Sequence, residues 1–325
     1  MYKSISVLQQ KRTCDNLKQS RNEWLDVAKG IAIILMVFGH TGFSTYWVWF
    51  IYAFHMPLFF IASGWTSNWT KYNIRKFIFH KVRTLLLPFI IYSCIVLIIS
   101  DLVIGGNFHN FIKKGWGEYA LWFVQVLFLA SIIIKIVYQI KNTVSRYVLI
   151  VMLGILGSIL SRNNILLPWS LSSVPYASCL IYIGSEIRRI QPYIESKISI
   201  LIMLAGFIIT FIGFQFWHLN IALNQVTPII PLTVIAVSGT LMLFALSYLT
   251  VRYLPLIKRI LIPIGKATYI VVAFSQVGIQ LLNYCFSLNP IIKYLLLTSL
   301  LVAIWFVQDM LKKTLKHWIP QFYKL

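Results

Sequence analysis

The sequence predicts an all-α polytopic membrane protein with about ten transmembrane helices and both termini in the cytoplasm. Composition is the first observation behind this prediction. Hydrophobic residues make up 59% of the 325 residues, charged residues only 11%, and the mean hydropathy is +0.78. Soluble domains do not have such a composition, whereas chains that bury most of their helices in lipid do. The spacing of the apolar stretches and the placement of positive charge between them are the other two observations.

Apolar stretches of the length that crosses a hydrocarbon core about 30 Å thick recur ten times. They are predicted at about 24–41, 47–66, 84–104, 119–139, 146–161, 169–187, 198–217, 229–250, 262–285 and 290–310. No internal repeat is visible in the two halves, which disfavours a secondary transporter. The chain is therefore divided into a basic cytoplasmic leader (1–22), a transmembrane domain (23–311) and a cytoplasmic tail (312–325). The leader is polar and precedes a full-length span, unlike a cleavable signal peptide.

Positive charge tests this topology, because cytoplasmic loops carry an excess of Lys and Arg. With a cytoplasmic amino terminus, twenty-four of the 29 basic residues fall in segments predicted inside and four in segments predicted outside. The remaining one, Lys29, lies in the first span. The basic residues form short clusters between apolar stretches, so the net charge of +21 indicates topology and not nucleic-acid binding.

Two histidines lie within these apolar stretches, where an ionisable side chain is costly and indicates function. His40 is fourteen residues beyond Asp26, or roughly 21 Å along a helix. If Asp26 marks the inner edge of a core about 30 Å thick, His40 lies about 9 Å below the outer surface. His55 lies roughly 12 Å into the next span, which returns inward. The matched depths predict one shared cavity, although a lone histidine in a span more often makes a helix–helix hydrogen bond.

A proline follows His55 at a distance of two residues. Pro57 removes a backbone donor, so it predicts a kink in the second span beside that histidine. Within a membrane, such a break is tolerated where the helix lines a cavity or packs on protein.

The charged residues near the cytoplasmic side allow two interpretations. Asp26 and Lys29 are spaced i, i+3 and can pair on one helix face, as a plain interfacial ion pair or as part of a site. The loop after the second span carries Arg75, Lys81 and Arg83. These residues either set the topology or clamp the phosphates of a ligand, since arginine and lysine suit phosphates.

Composition also bears on metals and on location. The four cysteines, Cys14, Cys94, Cys179 and Cys285, lack the spacing of metal ligands and are interpreted as small core residues. No metal site is therefore predicted. The high content of Ile and Lys is typical of a low-GC bacterium, which predicts a multi-pass protein of the bacterial plasma membrane.

Motifs in the first three spans resemble those of a known family. They are Asp26-x-x-Lys29-Gly30…Gly39-His40, Phe54-His55-Met56-Pro57-Leu58-Phe59-Phe60…Ser63-Gly64 and Lys81-x-Arg83-Thr84-Leu85-Leu86-Leu87-Pro88. Weaker matches are Leu121-Trp122-Phe123, Pro175 with Gly184, and Ile264-Gly265-Lys266-Ala267-Thr268-Tyr269-Ile270. Together they resemble the membrane acyltransferase 3 family, most closely its fucose 4-O-acetylase-like branch, over about residues 21–310.

This resemblance implies about ten helices and an activity. The activity is transfer of an acyl group, usually acetyl from acetyl-CoA, to a hydroxyl of a cell-surface or lipid-linked carbohydrate. The family's basic residue and histidine fall on Lys29 and His40, and its second basic motif falls on Lys81 and Arg83. Relatives often carry a histidine in the ninth helix after the Tyr-Ile turn, where this chain has the stretch 271–276.

The resemblance also implies a donor side and an acceptor side. Acetyl-CoA is expected to bind from the cytoplasm, with its phosphates near Arg75, Lys81 and Arg83. Lys29 is expected to hold the donor while it pairs with Asp26. The acceptor hydroxyl is expected to arrive from outside, and no metal takes part.

Three residues are expected to act on the acceptor. His40 is the expected general base, or it carries the acyl group briefly. His55 orients His40 or stabilises the oxyanion. Glu118 orients the acceptor or His40, with an ordinary loop charge as the alternative interpretation. Trp116 and Trp122 either stack on sugar or anchor the chain at the interface.

Two other classes of function remain open at this point. One is a polysaccharide exporter or permease, and the other is an inactive scaffold of a polysaccharide synthesis complex. An exporter needs many polar groups at mid-depth, and this chain has few: His40, His55, Gln125, Gln276, Gln280 and Asn283. The scarcity of such groups favours a small reaction cavity.

Overall fold

The computed structural model describes residues 22–104, 120–286 and 289–318, and over these residues the chain is helical. Its helices are α1 (Glu23–His40), α2 (Thr45–Tyr52), α3 (His55–Thr66), α4 (Ile74–Lys81), α5 (Leu87–Ile104), α6 (Trp122–Val137), α7 (Thr143–Arg162), α8 (Val174–Ile187), α9 (Gln191–Ile194), α10 (Ser199–Phe216), α11 (Ile229–Tyr253), α12 (Pro255–Lys266), α13 (Thr268–Cys285) and α14 (Pro290–Trp318). Within the described residues, the β-type pairing is one isolated bridge between Asn220 and Gln225. The predicted all-α class is confirmed.

Some of the predicted features lie outside the described residues. They include nearly all of the basic leader, Trp116, and Glu118, the carboxylate expected to orient the acceptor or His40. The end of the tail, residues 319–325, lies outside them as well. The division of the chain into leader, membrane domain and tail therefore stays a prediction.

Each predicted span overlaps a helix or a broken pair of helices. By length and apolarity, five of the described helices can cross a membrane, or six if one bent pair forms a single span. They are Thr45–Thr66, Ile74–Asp101, Thr143–Arg162, Ser199–Phe216 and Ile229–Tyr253. Helix α6 and the stretch Pro290–Phe306 of α14 are apolar but shorter. A multi-pass membrane protein is therefore supported, whereas the count of ten and the location of the termini stay predictions.

Helix α7 shows how the protein meets lipid. Its apolar side chains are exposed, with Val151 at 60% and Ile155 at 54% of their full accessible surface. In water such a face would be strongly unfavourable, whereas in a bilayer it is the expected outer surface. Its small residues Gly154 and Gly157 are buried against the rest of the protein.

The second predicted span is broken into α2 and α3. The break falls at Ala53 and Phe54, so His55 is the first residue of α3. Pro57 lies in the first turn of α3, where a missing backbone N–H costs little. The predicted kink therefore exists, but it lies before His55 and not at Pro57.

The ninth predicted span, 262–285, is not one straight helix in the structure. The chain instead bends by 77° between α12 and α13, at Ala267. We call this bend the elbow. The hydroxyl of Thr268 donates to the Gly265 carbonyl across it, at 2.6 Å. Lys258 on α12 pairs with Glu23, so α12 begins beside the amino end of α1.

Two pairs of glycines bring helices into backbone contact. A Cβ at Gly265 on α12 would overlap the backbone oxygen of Asp26 on α1, and Gly30 faces α12 at the same crossing. A Cβ at Gly184 on α8 would overlap the backbone of α3, and Gly64 on α3 meets α8 in the same way. Small residues allow this approach in membrane helices. The contacts hold α1 and α3, which carry both candidate histidines, against the rest of the bundle.

Candidate active site

His40 and His55 lie in one cavity, as their matched depths predict. His40 ends α1 and His55 begins α3, so the short helix α2 and two turns join them. The cavity has a volume of about 190 Å³ and is called the outer cavity here. Its lining residues are Met36, His40, Tyr52, His55, Met56, Ala120, Trp122, Leu219, Asn220, Ile221, Ala222, Leu223 and Gln276.

Hydrogen bonds set the tautomer of His40. Its Nδ1 lies 2.7 Å from the backbone oxygen of Met36. A carbonyl can only accept, so Nδ1 carries the proton and donates. In the neutral ring, Nε2 is then an acceptor, and the Tyr52 hydroxyl donates to it at 3.2 Å. The basic nitrogen of His40 thus points away from its own helix.

The same logic applies to His55, which is buried with 3% of its surface exposed. Its Nδ1 donates to the backbone oxygen of Ile51 at 2.9 Å. That carbonyl belongs to the last turn of α2, next to the break. The break therefore orients His55 and leaves its Nε2 as an acceptor. Tyr52 lies beside both histidines, with ring centroids 5.7 Å from His40 and 5.1 Å from His55.

The outer cavity is covered by residues 217–228, which we call the roof segment. Asn220 and Gln225 form an antiparallel bridge, with N–O distances of 2.8 and 3.1 Å. Ser173 donates to the Ile221 carbonyl at 2.6 Å, and the Val226 N–H donates to Ser161 at 3.0 Å. The roof segment is thus tied to α7 and to the turn before α8, and it encloses the histidines.

Gln276 lies across the outer cavity on α13. Its side-chain oxygen is buried, and no partner for it exists among the described residues. An unpaired buried polar atom costs about 1–3 kcal/mol, so such atoms are uncommon in native structures.

A second cavity, the inner cavity, lies at the opposite end of α1 and has a volume of about 270 Å³. It is lined by Asn22, Leu25, Asp26, Lys29, Trp65, Thr66 and Arg188. Lys29 donates to the nearly inaccessible carboxylate of Asp26 at 2.9 Å, which is the pair predicted from their spacing. Arg188, which ends α8, is exposed and faces the same space.

The remaining basic candidates lie elsewhere. Arg75 is exposed on α4, Lys81 lies over the ring of Phe77 at 5.6 Å, and Arg83 lies in the π-helical turn that follows α4. The lining of the inner cavity does not include these three. The structure thus places Lys29 and Arg188 in the lining of one cavity, whereas the three basic residues on and after α4 lie outside that lining.

Lys135 is a buried cation that the sequence analysis counted only as a loop charge. It lies on α6 with 5% of its surface exposed. Its ammonium group donates to the backbone oxygens of Trp69 and Tyr72. These carbonyls belong to the connection between α3 and α4, so Lys135 fixes the connection that leads into the basic cluster.

One face of α1 carries residues of both cavities. Lys29, Met36 and His40 follow one another at spacings of seven and four residues, which keeps them on one side of a helix. Lys29 lines the inner cavity, whereas Met36 and His40 line the outer one. The eleven residues from Lys29 to His40 correspond to roughly 16 Å along the axis.

Sequence reasoning missed Tyr52, the roof segment and Arg188. Tyr52 lies three residues before His55, a spacing at which two side chains meet on one helix. Three polar residues, Asn220, Asn224 and Gln225, interrupt the apolar sequence and were a usable signal for the roof. Arg188 gave no such signal, because it resembles any positive charge that follows a span.

The structure shows no metal centre among the residues that it describes. Within them, no group of three or more His, Cys, Asp or Glu side chains is arranged to hold an ion. The titratable groups of the outer cavity are two imidazoles and one phenol, which suit proton transfer and nucleophilic chemistry.

Comparison with known proteins identifies the family. The family model described as an acyltransferase domain, that of the acyltransferase 3 family, matches residues 22–308. No curated protein and no solved structure matches the chain. The matched region contains the described residues of both cavities. The match identifies the family but not a branch within it, so the fucose 4-O-acetylase-like branch stays a prediction. With its apolar helices and this match, the chain belongs to the acyltransferase 3 family of membrane acyltransferases.

Proposed function

We propose that this protein transfers an acetyl group, or a similar acyl group, from acyl-CoA to a hydroxyl of a cell-surface or lipid-linked carbohydrate. One observation carries the proposal. His40 and His55 each donate Nδ1–H to a backbone carbonyl, and each keeps an acceptor Nε2 beside the same cavity. Two oriented bases in a small enclosed space suit activation of a hydroxyl.

In the proposed reaction, His40 is the general base. Its Nε2 takes the proton of the acceptor hydroxyl as the oxygen attacks the thioester carbonyl carbon. The tetrahedral intermediate collapses with cleavage of the carbon–sulfur bond. The imidazolium then returns the proton to the departing CoA sulfur, so an ester and free CoA are formed. The Met36 carbonyl keeps the ring in the required tautomer and stabilises the imidazolium.

We propose for His55 a role other than oxyanion stabilisation. Because Nδ1–H is committed to Ile51, the neutral ring presents no N–H to the cavity. It can accept a hydrogen bond from the sugar but cannot donate one to a developing oxyanion. We propose that His55 holds a hydroxyl of the acceptor beside His40.

Tyr52 is the better candidate for the oxyanion. Its hydroxyl donates to His40 Nε2, the atom that the acceptor hydroxyl must approach. When the acceptor takes that place, the phenol loses its partner and is free to donate to the oxyanion. A positioned donor of this kind contributes about 10²–10³-fold to the rate in other acyl-transfer enzymes.

The donor is proposed to enter at the inner cavity. Lys29 and Arg188 place two cations there, and the phosphates of CoA are strong acceptors of charge-assisted hydrogen bonds. The cluster of Arg75, Lys81 and Arg83 is proposed to bind the remaining phosphate charge on the same side. The thin pantetheine arm would follow the face of α1 over the roughly 16 Å to His40.

Purified protein in detergent tests the donor half of this proposal. Calorimetry should detect binding of acetyl-CoA, and mass analysis of surface glycans should show acetyl esters that are lost when the gene is deleted. Polymer export should continue without the gene. Loss of polymer from the surface would favour an exporter, and intact acetylation with no acetyl-CoA binding would favour a scaffold.

A further inference from the structure

The elbow between α12 and α13 encloses a third cavity, which takes no part in the proposed reaction. Its volume is about 300 Å³, and its walls come from α1, α12, α13 and α14. The lining residues are Ile33, Ile34, Val37, Arg259, Ile260, Pro263, Ile264, Ala267, Val271, Thr298, Leu301, Val302 and Trp305. All of them are apolar except Thr298 and Arg259, and Trp305 is partly polar at its ring nitrogen.

Arg259 is the charged residue of this elbow cavity. Its neighbour Lys258 is paired with Glu23, but no acidic side chain or carbonyl within the described part of the chain pairs with the Arg259 guanidinium. Arg259 is exposed, and so are Leu256 and Ile260 on the same helix. A helix with exposed apolar residues and unpaired positive charge is typical of the membrane interface.

The cavity has a polar end and an apolar end. Arg259 and Trp305 lie at the end near the amino terminus of α1, the side that charge counting predicts to be cytoplasmic. Val37 and Thr298 lie deeper. Thr298 comes seven residues before Trp305, which corresponds to roughly 10 Å along α14. Val302, on this wall of the cavity, is 57% exposed. The cavity is therefore open from the side on which lipid lies.

We propose that the elbow cavity binds one anionic phospholipid of the leaflet beside the amino end of α1. The phosphate headgroup pairs with Arg259, and one acyl chain fills the space between α1, α13 and α14. Charge complementarity favours this occupant, because a zwitterionic lipid lacks the net charge that attracts the Arg259 guanidinium, which has no acidic partner among the described residues. The inference does not depend on the proposed acyl transfer, since the lining is shared with neither the outer nor the inner cavity.

Native mass spectrometry of the purified protein tests this site. The protein is titrated with phosphatidylglycerol or with phosphatidylcholine of the same chain length. We expect one tightly retained phosphatidylglycerol, with an affinity about fivefold above that of phosphatidylcholine, the effect of about one basic residue near a lipid headgroup. Arg259→Gln should abolish this preference, whereas Thr298→Trp should weaken retention of both lipids by filling the cavity.

Matched controls separate this site from a general charge effect. Arg252→Gln removes the same charge at the end of α11, where Arg252 lies outside the lining of the elbow cavity and donates to Tyr248. It should keep the lipid preference. Equal loss in both arginine variants, equal affinity for the two lipids in the wild type, or unchanged retention in Thr298→Trp would each overturn the proposal. Displacement of the lipid by glycerol phosphate alone would also overturn it, because a ligand without an acyl chain would then bind as well as the lipid.

Discussion

The outer and inner cavities lie at opposite ends of the same helix and are built from different chemistry. Around His40, the two imidazoles are neutral in the tautomers described above, and each is oriented by a backbone carbonyl. Around Lys29, the lining includes charged side chains, which are Lys29 itself, Arg188 and the buried Asp26 carboxylate that pairs with Lys29. The comparison teaches a division of roles: the outer cavity is suited to moving protons, and the inner cavity to holding an anion.

The two cavities also differ in how firmly their residues are held. His55 is enclosed by the helix break, and the roof segment is bonded to α7, so both are fixed on rigid elements. Arg188, by contrast, is exposed where α8 ends. Substitution of His40 or Tyr52 is expected to lower kcat, whereas substitution of the cations of the inner cavity should raise the KM for the donor.

The largest effect is expected for His40→Ala. It removes the general base together with two side-chain hydrogen bonds, to the Met36 carbonyl and from the Tyr52 hydroxyl, and His40 is the last residue of α1, so the fold should persist. We expect acetyl transfer to fall by at least ~10²-fold, within the ~10²–10⁴-fold range of a positioned acid–base group. The measurement is transfer from radiolabelled acetyl-CoA, at protein levels matched by size-exclusion profile. Activity within a few-fold of the wild type would reduce His40 to a structural helix residue.

Tyr52→Phe is expected to come next, with a loss of about 10²-fold in kcat and little change in the KM for acetyl-CoA. The phenol is the donor proposed for the oxyanion, and its removal leaves the ring packing between the histidines intact. Tyr193→Phe, at an exposed tyrosine outside both cavities, is the matched control and should be neutral. If Tyr52→Phe is also neutral, the oxyanion donor has to be sought elsewhere in the outer cavity.

A smaller effect, about tenfold in donor affinity, is expected for Arg188→Gln. One charge-assisted hydrogen bond is worth about 1.5–3 kcal/mol, and 1.4 kcal/mol corresponds to a factor of ten. Arg189→Gln is an unusually close control, because Arg189 is adjacent, exposed and paired with Glu186 instead of lining the cavity. Calorimetry with acetyl-CoA should separate the two variants. Equal affinities would show that only the net charge of this face matters.

The α4 cluster provides a test of the same kind. Arg83→Lys keeps the charge, and hence the predicted orientation, but removes a planar group that can bind phosphate through two donors. We expect acetyl-CoA to bind a few-fold more weakly to this variant. If Arg83→Lys binds as tightly as the wild type while Arg188→Gln binds weakly, the donor site is confined to the inner cavity.

The sequence predicted those features that depend on local pattern. Helix positions followed from apolar length, and the shared cavity of His40 and His55 followed from their depths. The Asp26–Lys29 pair followed from i, i+3 spacing. These features need only one helix, or two consecutive helices, for their prediction.

The features that sequence reasoning missed depend on contacts between distant parts of the chain. The bend at Ala267 results from α12 crossing α1 at Gly30 and Gly265, and apolar composition alone does not distinguish a bent pair from a straight span. Arg188 lines the inner cavity only because Gly64 and Gly184 let α3 and α8 touch. The glycines are visible in the sequence, but the sequence does not show which helix each of them contacts.

The smallest effect is expected for Gln276→Leu, and it separates substrate binding from stability. The buried oxygen of Gln276 has no partner among the described residues, so its loss removes an unfavourable burial and should leave the thermal midpoint unchanged or raise it. If a hydroxyl of the acceptor normally supplies the missing hydrogen bond, the KM for the acceptor should rise by a few-fold, while the KM for acetyl-CoA stays constant. Gln276→Glu keeps the acceptor oxygen and should retain more acceptor affinity than the leucine variant. A stability loss in Gln276→Leu with unchanged acceptor KM would mean that Gln276 supports the bundle and does not contact the sugar.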